Sequence, residues 1–131
     1  MDHIRAVHTP DAPGPVGPYS QATVHGGLAW LSGQIPLDPE TGKLCGTSIE
    51  EQAEQVLRNL GAVLRAAGSG WDRVLRVTVY LSDLSEFPRF NAVYERALGD
   101  ARPARATLGV AALPLGARVE IDAVAAVPTP A

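Results

Sequence analysis

Residues 102–125 read RPARATLGVAALPLGARVEIDAVA: two runs of Ala, Val, Leu and Ile, divided by a Pro-Leu-Gly turn and interrupted by Arg105, Arg118, Glu120 and Asp122. Side chains alternate across a strand, so the second run sorts into Val119, Ile121, Ala123 and Ala125 on one side and Arg118, Glu120, Asp122 and Val124 on the other. The first run sorts into Ala104, Ala106, Leu108 and Val110 against Arg105, Thr107 and Gly109. Both read as strands of a sheet with one face on a core and a second face of mixed polarity.

The rest of the chain supplies the partners. A short strand is expected near residues 3–7, followed by the turn-rich HTPDAPGPVGPYS (8–20). TVHGGLAWLSG (23–33) reads as two strands meeting at Gly26-Gly27, a dipeptide suited to the positive φ of a tight hairpin. IPLDPETGKL (35–44) is a loop. Residues 48–67 form the clearest helix, with Ser48 and Glu51 as a capping box and Gly68 as its stop. Its stripe is Ile49, Ala53, Val56, Leu60, Val63, Leu64 and Ala67. RVLRVTVYLSD (73–83) is a strand with Leu75, Val77, Val79 and Leu81 on one face and Arg76, Thr78 and Tyr80 on the other. A second helix over about 85–98 buries Phe87, Phe90, Val93, Tyr94 and Ala97 and tolerates Pro88 in its first turn. The order β, ββ, α, β, α, ββ specifies one α+β domain over 1–131, a six-stranded mixed sheet with two helices on one face.

Two helices cover one face of such a sheet and leave the other to solvent, a ligand or a second subunit. The polar residues of the last two strands are expected to share that open face with Arg76, Thr78 and Tyr80. The mixture, with Gly109, Ala123 and Ala125 among the small residues, suits a homo-oligomer interface holding a polar pocket.

At 131 residues, with a net charge of −3, the chain gives no electrostatic reason to bind nucleic acid or an anionic membrane. The N-terminal MDHIRAVHTPDAPGP lacks the apolar core of a signal peptide, and no run reaches the length of a membrane span, so a cytoplasmic protein is expected. Cys45 is the single cysteine, and His3, His8 and His25 have no metal-ligand spacing, so no metal site is expected. Lys43, the single lysine, sits in a turn. Phosphate-binding glycine loops and the GxSxG nucleophile elbow are absent. What remains is an arginine and a carboxylate on strands. Arg105 could hold a small carboxylic acid in bidentate fashion, and Glu120 could orient or deprotonate a water. The alternative is that the two pair with each other, or with Arg118 and Asp122, across strands. Arg118 and Asp122 themselves read as interface or cross-strand pairs.

Six blocks in this order resemble the Rid family of reactive intermediate deaminases, also called the YjgF or L-PSP family: GPYSQA (17–22), LSGQIPLDPETGKL (31–44), EEQAEQVLRNLGAVLRAAG (50–68), VTVYLSDLSEFPRFNAVY (77–94), RPARATLGVAALP (102–114) and VEIDAVA (119–125). The resemblance implies a chorismate-mutase-like fold and a homotrimer with sites between subunits. It implies that Arg105 binds the substrate carboxylate, that Glu120 serves the water, and that Tyr19, Ser32, Gly33 and Asn91 line or support the pocket. Thr107 stands where well-known deaminases often have cysteine, and its backbone N–H could still meet the substrate.

The implied reaction is hydrolysis of 2-iminobutanoate- or 2-iminopropanoate-type enamines and imines to 2-keto acids and ammonia, with no cofactor. Three rivals use the same fold: action on a larger pathway-specific enamine, a keto-acid-sensing trimer without turnover, and ribonuclease activity. The acidic composition and the lack of a basic, aromatic-studded stripe argue against the last.

Overall fold

The computed structural model describes residues 3–128. The strands are β1 (Arg5–Val7), β2 (Ala22–His25), β3 (Leu28–Gln34), β4 (Val74–Leu81), β5 (Ala104–Gly109) and β6 (Val119–Ala126), and the helices are α1 (Ile49–Ala66) and α2 (Phe87–Leu98). The sheet order is β1-β2-β3-β6-β4-β5. Every pairing is antiparallel except β4 with β5, so the sheet is mixed, as the element order requires.

Local chemistry accounts for most element ends. Gly26 and Gly27 have φ of 59° and 79°, the positive values a tight hairpin with the native strand twist demands. Ser48 accepts a hydrogen bond from the Glu51 amide while the Glu51 carboxylate reaches back to the Ser48 amide, which completes the capping box of α1. The whole expected α1 stripe is buried. A single 3-10 turn, Leu84–Glu86, leads into α2, and Pro88 falls at its start, where no intrahelical N–H is lost.

Both helices pack on one face of the sheet. There, Val119, Ile121, Ala123 and Ala125 of β6 join Val77, Val79 and Leu81 of β4 and Ala29 and Leu31 of β3 in one core. Two expected core positions fall elsewhere. Leu75 is 50% exposed, because the β4–β6 register shifts between Val74 and Arg76 and puts Val74 in the core instead. On α2, Ala97 is exposed and Leu98 takes the inner place one position later.

A larger correction concerns β5. In-register neighbours share a face, and the pairing makes Ala123, Val77 and Arg105 one row and Ile121, Val79 and Thr107 the next. Arg105 and Thr107 therefore stand on the helix side. The open face instead carries the row Glu120, Tyr80 and Leu108. Alternation had separated the two sets of β5 correctly, but the parallel register assigns them to the opposite faces from those expected.

The loop after β3 is tied down by a buried amide. Asn59, fully buried on α1, donates from Nδ2 to the carbonyls of Leu37 at 3.0 Å and Ile35 at 3.3 Å, and accepts from Gln55 Nε2 at 2.9 Å. Removing the side chain strands buried polar groups. Asn59→Ala is expected to cost about 2–3 kcal/mol, read as a lowered urea midpoint at unchanged slope.

Candidate functional site

On the helix side, the 3.6-residue period of α2 brings Phe87, Asn91 and Tyr94 to one face, at relative positions 0, 4 and 7. Arg105 reaches into that face from β5. Its Nη1 donates to Asn91 Oδ1 at 2.8 Å. Its guanidinium carbon lies 4.7 Å from the Tyr94 ring centroid and 5.4 Å from that of Phe87, within range of cation–π attraction. Among the described residues no carboxylate pairs with it, and Asn91 is its one hydrogen-bond partner. Nε and Nη2 are thus free for a ligand. A shallow groove lined by Leu84, Ser85, Phe87, Pro88 and Thr107 opens on one side of Arg105. A cavity of about 360 Å³ lined by Asn91, Tyr94, Glu95, Arg102 and Pro103 opens on another.

The start of α2 is held by charge. Arg118 Nη1 donates to both oxygens of Glu86 at 3.2 Å and Arg118 Nε to the Thr47 carbonyl at 2.9 Å. Arg89 grips Glu50 of α1 through two hydrogen bonds of 2.9 and 2.7 Å. Arg118 is therefore no cross-strand partner: its carboxylate lies on the turn before α2.

On the open face, Glu120 forms the wall of a second, smaller cavity of about 90 Å³, shared with Tyr19, Gln21, Gly33 and Pro114. The β3–β6 register shifts between Leu31 and Gln34, so Ser32 and Gly33 form an irregularity beside Glu120. A Cβ on Gly33 would run into the Glu120 carboxylate, so glycine leaves that carboxylate its present position. Ser32 Oγ donates to the Ser20 carbonyl at 2.7 Å, which makes it a brace for the chain around Tyr19. Gln21, 2% exposed, pins the proline-rich loop: its Oε1 accepts from the Thr9 amide at 2.7 Å and its Nε2 donates to the Pro13 carbonyl at 2.9 Å.

Glu120 makes no hydrogen bond among the described residues. Burial, and secondly the negative charge of Asp122, push its pKa above the ordinary carboxylate value. Asp122 is occupied, accepting from Tyr80 Oη at 2.9 Å across the strands, and that hydrogen bond is the main reason the Tyr80 hydroxyl holds its proton more tightly than usual.

The expected site residues thus fall into two groups, Arg105, Asn91 and Thr107 behind the sheet and Tyr19, Gly33 and Glu120 in front, with Ser32 as support. Arg105 and Glu120 do not pair. The sequence marks Phe87 and Tyr94 only as part of the inner stripe of the helix, and Gln21 only as a member of the GPYSQA block. The signal available for the first two was an asparagine set between aromatics on the inner stripe of a helix. No group of three or more His, Cys, Asp or Glu able to hold a metal occurs among the described residues, and no helix there is long and apolar enough to cross a membrane.

Comparison with known proteins extends this geometry. The family described as Endoribonuclease L-PSP matches residues 9–127. The chain is 44% identical over 121 residues to human 2-iminobutanoate/2-iminopropanoate deaminase, covering 92% of this chain and 88% of the human one. The crystal structure of yeast YEO7 superposes with a TM-score of 0.93 at 41% identity, covering 96% of this chain and all of that one. Escherichia coli TdcF, solved with bound serine, superposes with a TM-score of 0.89 at 34% identity, covering 93% of this chain and 98% of that one.

The environment of Glu120 has a stability consequence whose sign is fixed. A carboxylate that binds its proton more tightly folded than unfolded destabilises the fold as pH rises above the unfolded value near 4.5, and costs nothing below it. Glu120→Gln is expected to melt higher than the parent protein at pH 7, with the difference vanishing by about pH 4, as thermal denaturation at the two pH values will show.

Proposed function

We propose, from the premise that the chain belongs to the L-PSP family, also called Rid or YjgF, that it is an imine deaminase that hydrolyses small 2-imino acids and their enamine tautomers to 2-keto acids and ammonia. The observation that carries this reading is the state of Arg105, a guanidinium oriented by Asn91 and two aromatic faces, with two donors free and no carboxylate of its own. Such a group is built to receive a carboxylate from outside the chain. The name of the human relative and the serine bound to TdcF support a small amino-acid-like ligand.

Because Arg105 and Glu120 stand on opposite faces of one sheet, one chain does not complete the site. We place each site between copies of a homotrimer, with Arg105, Asn91 and Thr107 from one copy and Tyr19, Gly33 and Glu120 from the next. The open sheet face, where Trp30 and Leu108 are 53% and 46% exposed, is the surface available for that assembly.

In this arrangement Nε and Nη2 of Arg105 take the two carboxylate oxygens. Neutralising the carboxylate makes the adjacent C=N carbon easier to attack, and holding it fixes the distance to the water. As the water oxygen bonds to that carbon, Glu120 accepts the water proton and passes it to the nitrogen. As the hydroxyl proton of the carbinolamine then moves through Glu120 to the nitrogen, the C–N bond breaks and the C=O bond forms, releasing ammonia and the keto acid. A carboxylate with a raised proton affinity suits both halves of that transfer.

The test couples a lyase that generates 2-aminoacrylate to keto-acid detection. Arg105→Ala is expected to lose about a hundredfold in kcat/KM, equivalent to roughly 3 kcal/mol, and Glu120→Ala a comparable factor. No acceleration by the parent protein, while it still binds 2-ketobutyrate, would favour a ligand sensor instead. A mixing experiment tests the shared site: Arg105→Ala and Glu120→Ala chains, unfolded and refolded together, should recover about a quarter of parental activity in random trimers, because some interfaces regain both residues. Recovery of nothing would place each site within one chain.

A further inference from the structure

Tyr94 Oη is buried and without a hydrogen-bond partner, the one side-chain polar atom of that kind among the described residues. Tyr94 is 8% exposed and lines the 360 Å³ cavity with Asn91, Glu95, Arg102 and Arg105. A buried tyrosine normally satisfies its hydroxyl, and an unpaired one calls for an explanation. The ring alone would serve the core and the cation–π contact, and phenylalanine would supply both. Phe90, one turn earlier and 5.7 Å from the Tyr94 ring centroid, shows that the same layer accepts a plain phenyl ring.

The Arg105 guanidinium faces the hydroxyl oxygen closely enough to lower its pKa, the charge of Arg102 acts in the same direction, and no group takes the hydroxyl proton. Neither the Glu95 carboxylate nor the Asn91 carboxamide of the same cavity takes the hydroxyl proton, so its acceptor has to come from outside the chain, and beside the Arg105 guanidinium an anionic acceptor is favoured. Burial raises the Tyr94 pKa, more than the two arginines lower it, so the hydroxyl remains a donor at neutral pH.

We propose that Tyr94 is a ligand-binding residue: its hydroxyl donates a hydrogen bond to the carboxylate held by Arg105, while its ring keeps the guanidinium in place. The proposal rests on the carboxylate-binding reading of Arg105 given above. It adds a third arm to the clamp, on the cavity side of the arginine, and assigns to substrate recognition a residue that the core alone does not require.

The test uses 2-ketobutyrate as a stable carboxylate probe, titrated calorimetrically into the parent protein, Arg105→Ala and Tyr94→Phe, with thermal melts of each protein alone and with the probe. Tyr94→Phe keeps the ring, so it isolates the hydroxyl. The expected result is binding by the parent, loss of binding by Arg105→Ala, and about tenfold weaker binding by Tyr94→Phe. The ligand-free melting temperature of Tyr94→Phe should be unchanged or higher, and its probe-induced shift smaller. Parental affinity in Tyr94→Phe would overturn the proposal and leave the hydroxyl serving a water, with the Arg105 reading intact. Weaker binding accompanied by a lower ligand-free melting temperature would also overturn it, in favour of a structural role. Undiminished binding by Arg105→Ala, or no binding by the parent, would bring down the underlying reading and this inference with it.

Discussion

Strand β6 is hydrogen-bonded along both edges, to β3 on one side and β4 on the other, and its alternation sets which side of every neighbour is inside. Val119, Ile121, Ala123 and Ala125 are buried beneath the helices, and a slip of one residue would exchange them for Glu120 and Asp122. That exchange would place two carboxylates in the core, so the register is held by a penalty far larger than any single side-chain contact. The two irregularities of the sheet are displaced onto the neighbours: the shift in β4 exposes Leu75, and the shift in β3 brings Gly33 against Glu120. The pocket on the open face is thus a by-product of the central strand keeping its own alternation unbroken.

On the helix side the controlling feature is the position of α2. The turn before it is bound through Glu86 to Arg118, the residue preceding β6, and its own first turn is bound to α1 through Arg89 and Glu50. The Arg89–Glu50 pair is exposed and worth at most about 1 kcal/mol. Glu86 is 9% exposed and has its charge matched by Arg118, so that pair has the larger say in where the helix starts. The start matters because Phe87, Asn91 and Tyr94 follow on one face, and they set the direction of Arg105. Two arginines of the same short region are thereby used in different ways: Arg118 is consumed by a carboxylate of its own chain, and Arg105 is held by a neutral amide and aromatic faces that leave its charge available.

Separation of Arg105 and Glu120 across the sheet has a chemical value under the proposed assembly. Placed side by side in one chain they would pair, and an ion pair would compete with any carboxylate ligand. Kept on opposite faces, each stays unpaired, and the raised proton affinity of Glu120 follows from burial without a compensating cation. Meeting across an interface would bring them to opposite ends of a small ligand while neither has a competing partner in its own chain.

Those features that depend on neighbouring residues were legible in the amino-acid order: the Gly26-Gly27 hairpin, the Ser48–Glu51 capping box, the stripe of α1, the proline at the start of α2 and the strict alternation of β6. Each rests on backbone geometry or on spacing within one element, which a chain carries wherever it packs. The division of β5 into two sets was legible for the same reason, whereas the grouping of Arg105 with Asn91, and of Glu120 with Gly33 and Tyr19, depends on contacts between elements. Which set of β5 goes to which face was decided by tertiary structure alone, because a parallel partner fixes parity through Val77 and Val79, residues nearly thirty positions away. The same holds for Leu75, whose place depends on a register shift, and for Arg118, whose partner Glu86 lies on another element. Periodicity determines that a strand has two sides; only the register with its neighbour decides where those sides point.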